Sequence, residues 1–183
     1  MPPALPNHQR LHHLVHVNIG WLDQAVCLVG SLSDSVYAEP PTGFAPHKAG
    51  SHLRHILDFY DSFLAGVESG AVDYDARSRD RRTEYDRQFA IVRIREIAKR
   101  FLEIDVFSRS ESLLVRMEDA DVAPGLNPWM KSSVSRELQM LSSHTIHHVA
   151  LIAVTLTAHG IALDPDFGMA PSTIRFRERQ EAA

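Results

Sequence analysis

Apolar residues return every three or four positions in four stretches of the chain, and proline, glycine or charge separates one stretch from the next. Over residues 8–33, Leu11, Leu14, Val15, Leu22, Ala25, Val26 and Val29 keep helical spacing. Pro40, Pro41, Gly43 and Pro46 then predict a linker. A second helix is expected over 47–66, with Leu53, Ile56, Leu57, Tyr60, Phe63 and Leu64 as its core stripe and Gly66 and Gly70 as stop signals. Residues 73–82 form a charged connector without apolar periodicity, and a third helix over 83–104 turns Phe89, Ile94, Ile97, Ala98 and Phe101 inward. Residues 113–117 alternate as a short strand does, hairpinned across Pro124-Gly125 to Trp129 and Met130. A fourth helix opens at the serine cluster Ser132, Ser133 and Ser135, which offers an N-cap, and closes at Gly160, a natural C′ residue. Residues 1–6, with three prolines, and 164–183, with one apolar knot from Phe167 to Ala170, read as tails.

These elements predict an all-α fold: a four-helix bundle with a long crossover connection and a short hairpin before the last helix. One domain is expected over residues 1–183, its core at about 8–160 and a C-terminal extension at 161–183. The composition is compatible with that reading, since 44% apolar residues suffice for a core. A net charge of −4 with both signs interspersed advertises no surface for nucleic acid. The apolar runs are too short to cross a bilayer and no secretory signal is expected, so a cytoplasmic location without membrane association is the plain expectation. Cys27 is the single cysteine, which excludes an internal disulfide and a CxxC metal site.

Histidine changes the picture. Eleven are present, ten of them in three short clusters or beside them, and clustering matters because metal ligands must converge. His144 and His148 in the fourth helix are four residues apart, which stacks two imidazoles on one face. On a helical wheel centred on Val134, Leu138, Leu141, Thr145 and Ile152 both look inward at the stripe's edge, whereas His147 turns roughly 140° away. Such a pair chelates one divalent ion if a third ligand arrives from elsewhere, and otherwise consists of ordinary core-edge histidines. His52 and His55 on the second helix flank its stripe at i, i+3, and either can supply the third imidazole, His52 lying nearer the stripe's centre. Asp58 is placed to accept from the other ring nitrogen of His55, or else to pair with Arg54. His12 and His16, with His8 and His13 beside them, repeat the i, i+4 spacing but fall off the apolar stripe and are expected to face water.

Other motifs subtract. Residues 73–80 lack the glycine and terminal glutamate of a calcium loop and read as a solvated connector rather than a loop contacting substrate. No phosphate-cradling glycine loop, GxSxG elbow or HExxH helix is present. Glu137 is the one plausible inward acid of the fourth helix and no Glu-x-x-His occurs, which disfavours a di-iron bundle.

With Leu53-Arg54-His55-Ile56-Leu57-Asp58 on one helix and His144-Thr145-Ile146-His147-His148-Val149-Ala150 on another, the chain resembles the DinB/YfiT-like superfamily of metal-dependent helical bundles over roughly residues 11–160. The first segment is similar to that family's first-ligand segment and the second to its HxxxH helix. The resemblance implies His55, His144 and His148 as metal ligands, a nickel, zinc or iron-type ion and a homodimer. His52 is an extra candidate one turn before the implied ligand, and residues 105–131 and those beyond 160 look elaborated. Better-understood relatives include thiol-dependent S-transferases and a maleylpyruvate isomerase.

The expected function is therefore that of a divalent-metal-dependent enzyme acting on a small molecule, by transfer of a low-molecular-weight thiol or by hydrolysis, with Arg54 or Arg77 as anion contacts. The alternative is a non-catalytic dimeric helical module whose metal is structural or adventitious.

Overall fold

A computed structural model describes residues 7–104, 111–117 and 127–181. The chain is mostly helical, with a small three-stranded sheet. Its elements are α1 (Asn7–Ser31), α2 (Asp34–Ala38), α3 (Ala49–Gly66), β1 (Ala71–Asp73), α4 (Arg82–Tyr85), α5 (Arg87–Glu103), β2 (Ser112–Arg116), β3 (Met130–Ser133), α6 (Val134–Ala158) and α7 (Pro171–Glu181). The expected N-terminal tail and the Pro124-Gly125 turn lie outside the described residues. Among the described residues no helix is long and apolar enough to cross a membrane.

The four long helices coincide with the four periodic stretches, because each buries its stripe on two of the others: α1 on α5 and α6, α3 on α6 and α5. Leu22, Leu53, Leu57, Phe63, Ile94, Phe101, Leu138 and Leu141 fill the common core. The ends of α6 follow the expected chemistry. Ser133 Oγ accepts the Arg136 N–H, and beyond the C-cap Gly160 adopts φ +78°. Ile161 N–H then reaches the Leu156 carbonyl (3.0 Å) and Gly160 N–H the Thr157 carbonyl (2.9 Å), which closes a Schellman motif.

Four features depart from the sequence expectation. The third helix is broken at Asp86, which leaves helical geometry (φ −107°, ψ 96°) so that its carboxylate can accept the Phe89 N–H and cap α5. Next, β1 adds itself to the hairpin in parallel with β2, while β2 and β3 pair antiparallel as expected. Short α2 seats Tyr37 in the core, and the C-terminal tail contains α7. The approach of β1 to α3 needs Gly66, since a Cβ there would collide with the Ala71 carbonyl and the Val72 Cα.

A polar knot sits inside the apolar core. Asn18 on α1 is fully buried and donates to the Leu14 (2.8 Å) and Leu138 (3.0 Å) carbonyls, and its Oδ1 accepts from the Tyr60 phenol (2.8 Å). Thr145 Oγ1, bonded to the Leu141 carbonyl (2.8 Å), lies 3.2 Å from the same phenol. One buried amide thus ties α1, α3 and α6 together.

Candidate metal centre

Packing of α3 against α6 brings the edges of their two stripes face to face, and the histidines stand there. His55 Nε2 lies 3.2 Å from His144 Nε2. Ring centroids are 4.6 Å apart for His55 and His148, and 4.6 Å for His144 and His148. One nitrogen from each of the three rings falls within 4.8 Å of the others, the only such group of histidine, cysteine or carboxylate side chains found among the described residues. Two nitrogens held tetrahedrally about 2.0–2.1 Å from one ion stand about 3.3–3.4 Å apart, so the observed His55–His144 approach suits a shared ion.

Burial is the main force on these rings. It pushes the imidazole of His55 down to about 4, helped by His148, Arg77 and Arg54; that of His144 down to about 4, helped by His55, His147 and Arg77; and that of His148 down to about 3, helped by His144, His52 and His147. Imidazoles that stay neutral at pH 7 keep their lone pairs available to a metal. The donor set and its spacing therefore fit a divalent ion of the zinc, nickel or iron kind.

Neighbouring side chains fix the rings. Phe59 stacks on His144 (4.1 Å between centroids, 29°) and is backed in turn by Tyr74 (5.0 Å, 19°). The Arg77 guanidinium lies 5.5 Å over the Phe59 ring and donates to the Tyr74 carbonyl (2.8 Å). His52 meets His148 from the other side, Nδ1 to Nδ1 at 3.2 Å, and stacks on His47 (5.9 Å, 7°). When Nδ1 of His148 donates to His52, its Nε2 is the nitrogen left for an ion. His144 Nδ1 is buried without a hydrogen-bond partner.

Each sequence candidate thus has a place. His55, His144 and His148 converge; His52 touches His148 but stands outside the three-ring group. His147 is exposed and packs edge-on to His148 (5.0 Å, 78°). On α1, His8, His12, His13 and His16 are exposed, as their position off the stripe predicts. Asp58 does not serve His55: it is buried and takes Arg54 Nη1 at 2.8 Å, the alternative partner, because both lie one turn apart on α3. Arg54 also pairs with Glu84 (2.8 Å) and so is occupied as an anion contact. The connector after β1 is not simply solvated, since Tyr74 is fully buried and Arg77 overhangs the site. Glu137 is buried as an inward acid, but Tyr74 (3.0 Å) and Ser132 hold its carboxylate away from the histidines.

Above the three rings opens a cleft of about 510 Å³, walled by Phe59, Met117, Arg136, Met140 and Ser143. That volume admits a small-molecule substrate. By contrast the enclosed apolar cavity between α1, α3 and α6 measures about 20 Å³, room for one water at most.

No family model matches the chain, and no solved structure matches it. Among curated proteins it is similar to FK506-binding protein 5 of the fungus Rhizopus delemar, at 34% identity over 109 residues covering 60% of this chain. The match takes in 28% of the length of that relative.

Proposed function

We propose that the chain is a divalent-metal-dependent enzyme built on a DinB/YfiT-like four-helix bundle, with His55, His144 and His148 holding one nickel, zinc or iron-type ion. The observation that carries this reading is the meeting of three neutral imidazoles from two helices on the floor of an open cleft. Four long helices, each packed on two of the others, and the long connection between α5 and α6 support the bundle assignment. The homodimer is proposed from the family resemblance.

When bound, such an ion supplies Lewis acidity that lowers the pKa of a thiol or of water. The chain's own residues supply the rest. His52 sets which nitrogen of His148 carries the proton, Phe59 holds the plane of His144, and Arg77 adds positive potential beside His55 and His144. Three neutral ligands leave the ion's charge unbalanced, a setting that favours a thiolate over a neutral nucleophile. Transfer of a low-molecular-weight thiol to an electrophile is therefore the leading reaction, ahead of hydrolysis.

The test is elemental analysis of untagged protein beside the double variant His144→Ala/His148→Ala, followed by turnover of a thiol with an electrophilic substrate. Wild type is expected to carry about one equivalent of metal and the variant almost none, with turnover lost in parallel. Equal trace metal in both proteins would instead support a non-catalytic helical module. Thiol transfer that survives the double change would rule out this centre as its source.

A further inference from the structure

The cleft over the histidines does not end at them. It continues into a second hollow of about 480 Å³ between the β2–β3 hairpin and the first turns of α6, and the two share Met117, Arg136 and Met140. Arg136 and His144 are eight residues apart on α6, or about 12 Å along the helix axis. Met140 stands between them. The floor of the groove thus runs from imidazole through thioether to guanidinium.

Among the described residues two charged side chains of α6 line this groove, Arg136 and Glu137. Arg136 is exposed, and among the described residues its side chain makes no hydrogen bond or ion pair. Among the described residues the acids nearest in sequence or space have other partners, Glu111 accepting from Ser135. Glu137, next to Arg136 in sequence, is held by Tyr74 and Ser132, and Asp58 by Arg54. Arg77 adds a further cation at the histidine end. An arginine with no ion pair among the described residues, set on a cleft wall, suits a planar carboxylate or phosphate through paired N–H donors. Methionines lining the middle adapt to an apolar spacer of variable shape.

From this arrangement we propose that Arg136 is a binding subsite for an anionic group of the substrate. The ligand is then an extended molecule with a reacting head at His55, His144 and His148 and a carboxylate or phosphate at its far end. This rests on the metal reading above and names the class of molecule that the site accepts.

Protein loaded with cobalt(II) in place of the native ion offers a visible absorption band with which to test it. Alkanehydroxamates of graded length, which bind metal whatever the native reaction, are titrated in three forms ending in methyl, carboxylate or phosphonate. An anion-ended probe of suitable length is expected to bind wild type about tenfold more tightly than its methyl partner, the effect of one charge-assisted contact. In Arg136→Ala that advantage shrinks to less than about threefold, while the methyl series binds both proteins alike, and Arg136→Lys keeps part of it. The better of the carboxylate and phosphonate series identifies the anion. Equal binding of charged and uncharged probes by wild type, or an advantage undiminished in Arg136→Ala, would overturn the subsite while leaving the metal centre standing. Failure of the protein to take up cobalt, or of any hydroxamate to alter its spectrum, would overturn both.

Discussion

At the scale of single residues, His52 has the most specific role to be tested. Its Nδ1 faces Nδ1 of His148 at 3.2 Å, and burial, with His47 and His147 nearby, pushes its pKa down, so a neutral ring stands against a neutral ring. One nitrogen must donate and the other accept, and the contact thereby fixes both the tautomer and the tilt of His148. Loss of such a partner typically costs ten- to a hundredfold in metal affinity. His52→Ala is expected to weaken metal binding by roughly that factor, His52→Asn by less, both read by competition with a chromophoric chelator. Unchanged affinity would reduce the contact to packing, whereas a loss as complete as that of His55→Ala would make His52 a ligand. Sequence spacing left the choice between His52 and His55 open because both flank one stripe. Only the azimuth at which α6 meets α3 separates them, and that is a property of two helices together. Arg136 was invisible for a similar reason, since a lone exposed arginine acquires meaning only when a cleft reaches it.

At the scale of elements, Asn18 shows where periodicity misleads. Its neighbours Leu11, Leu14, Val15 and Leu22 mark the inward face of α1, yet the fully buried residue at the middle of that face is an amide. A stripe defined by apolar residues passes over it. Replacing Asn18 by Leu removes two N–H donors and one acceptor that serve Leu14, Leu138 and Tyr60, and leaves the carbonyl of α6 and the phenol of α3 to find other partners in the core. A loss of about 2–4 kcal/mol is expected in urea unfolding, from two or three buried hydrogen bonds left half-made. A change below about 0.5 kcal/mol would mean that the knot is replaceable by ordinary packing. The same logic explains which elements were legible. Helices with a long apolar stripe, α3 and α6 above all, declare themselves locally. By contrast β1 is three residues long and exists because β2 offers an edge, and α7 buries no residue, so no stripe marks it.

At the scale of the whole molecule, the histidine cluster ties folding to both pH and metal. In the metal-free protein the rings of His55 and His144 take up protons only near pH 4 and that of His148 near 3, whereas in the unfolded chain each does so near its ordinary value of 6.5. Between those limits the unfolded state binds more protons, so stability must rise with pH across the window and fall as acid is added. Above about pH 7 this contribution is fully present and flat. Carboxylates titrate mostly below pH 4.5, which leaves pH 6.5 to 5 as the interval where the histidines dominate. The metal-free Tm is expected to decline by a few degrees across it, and His144→Leu/His148→Leu to flatten that slope. A bound ion acts in the opposite sense, adding about 2.7 kcal/mol at a free concentration a hundred times its Kd, or about 5–10 °C in a chain of this size. Chelation at pH 7.5 should therefore lower Tm in wild type and leave the double variant unmoved. A metal-free Tm that holds constant from pH 6.5 to 5 would mean the three rings share the cleft as ordinary solvated histidines, and the convergence on which the centre is argued would lose its energetic basis.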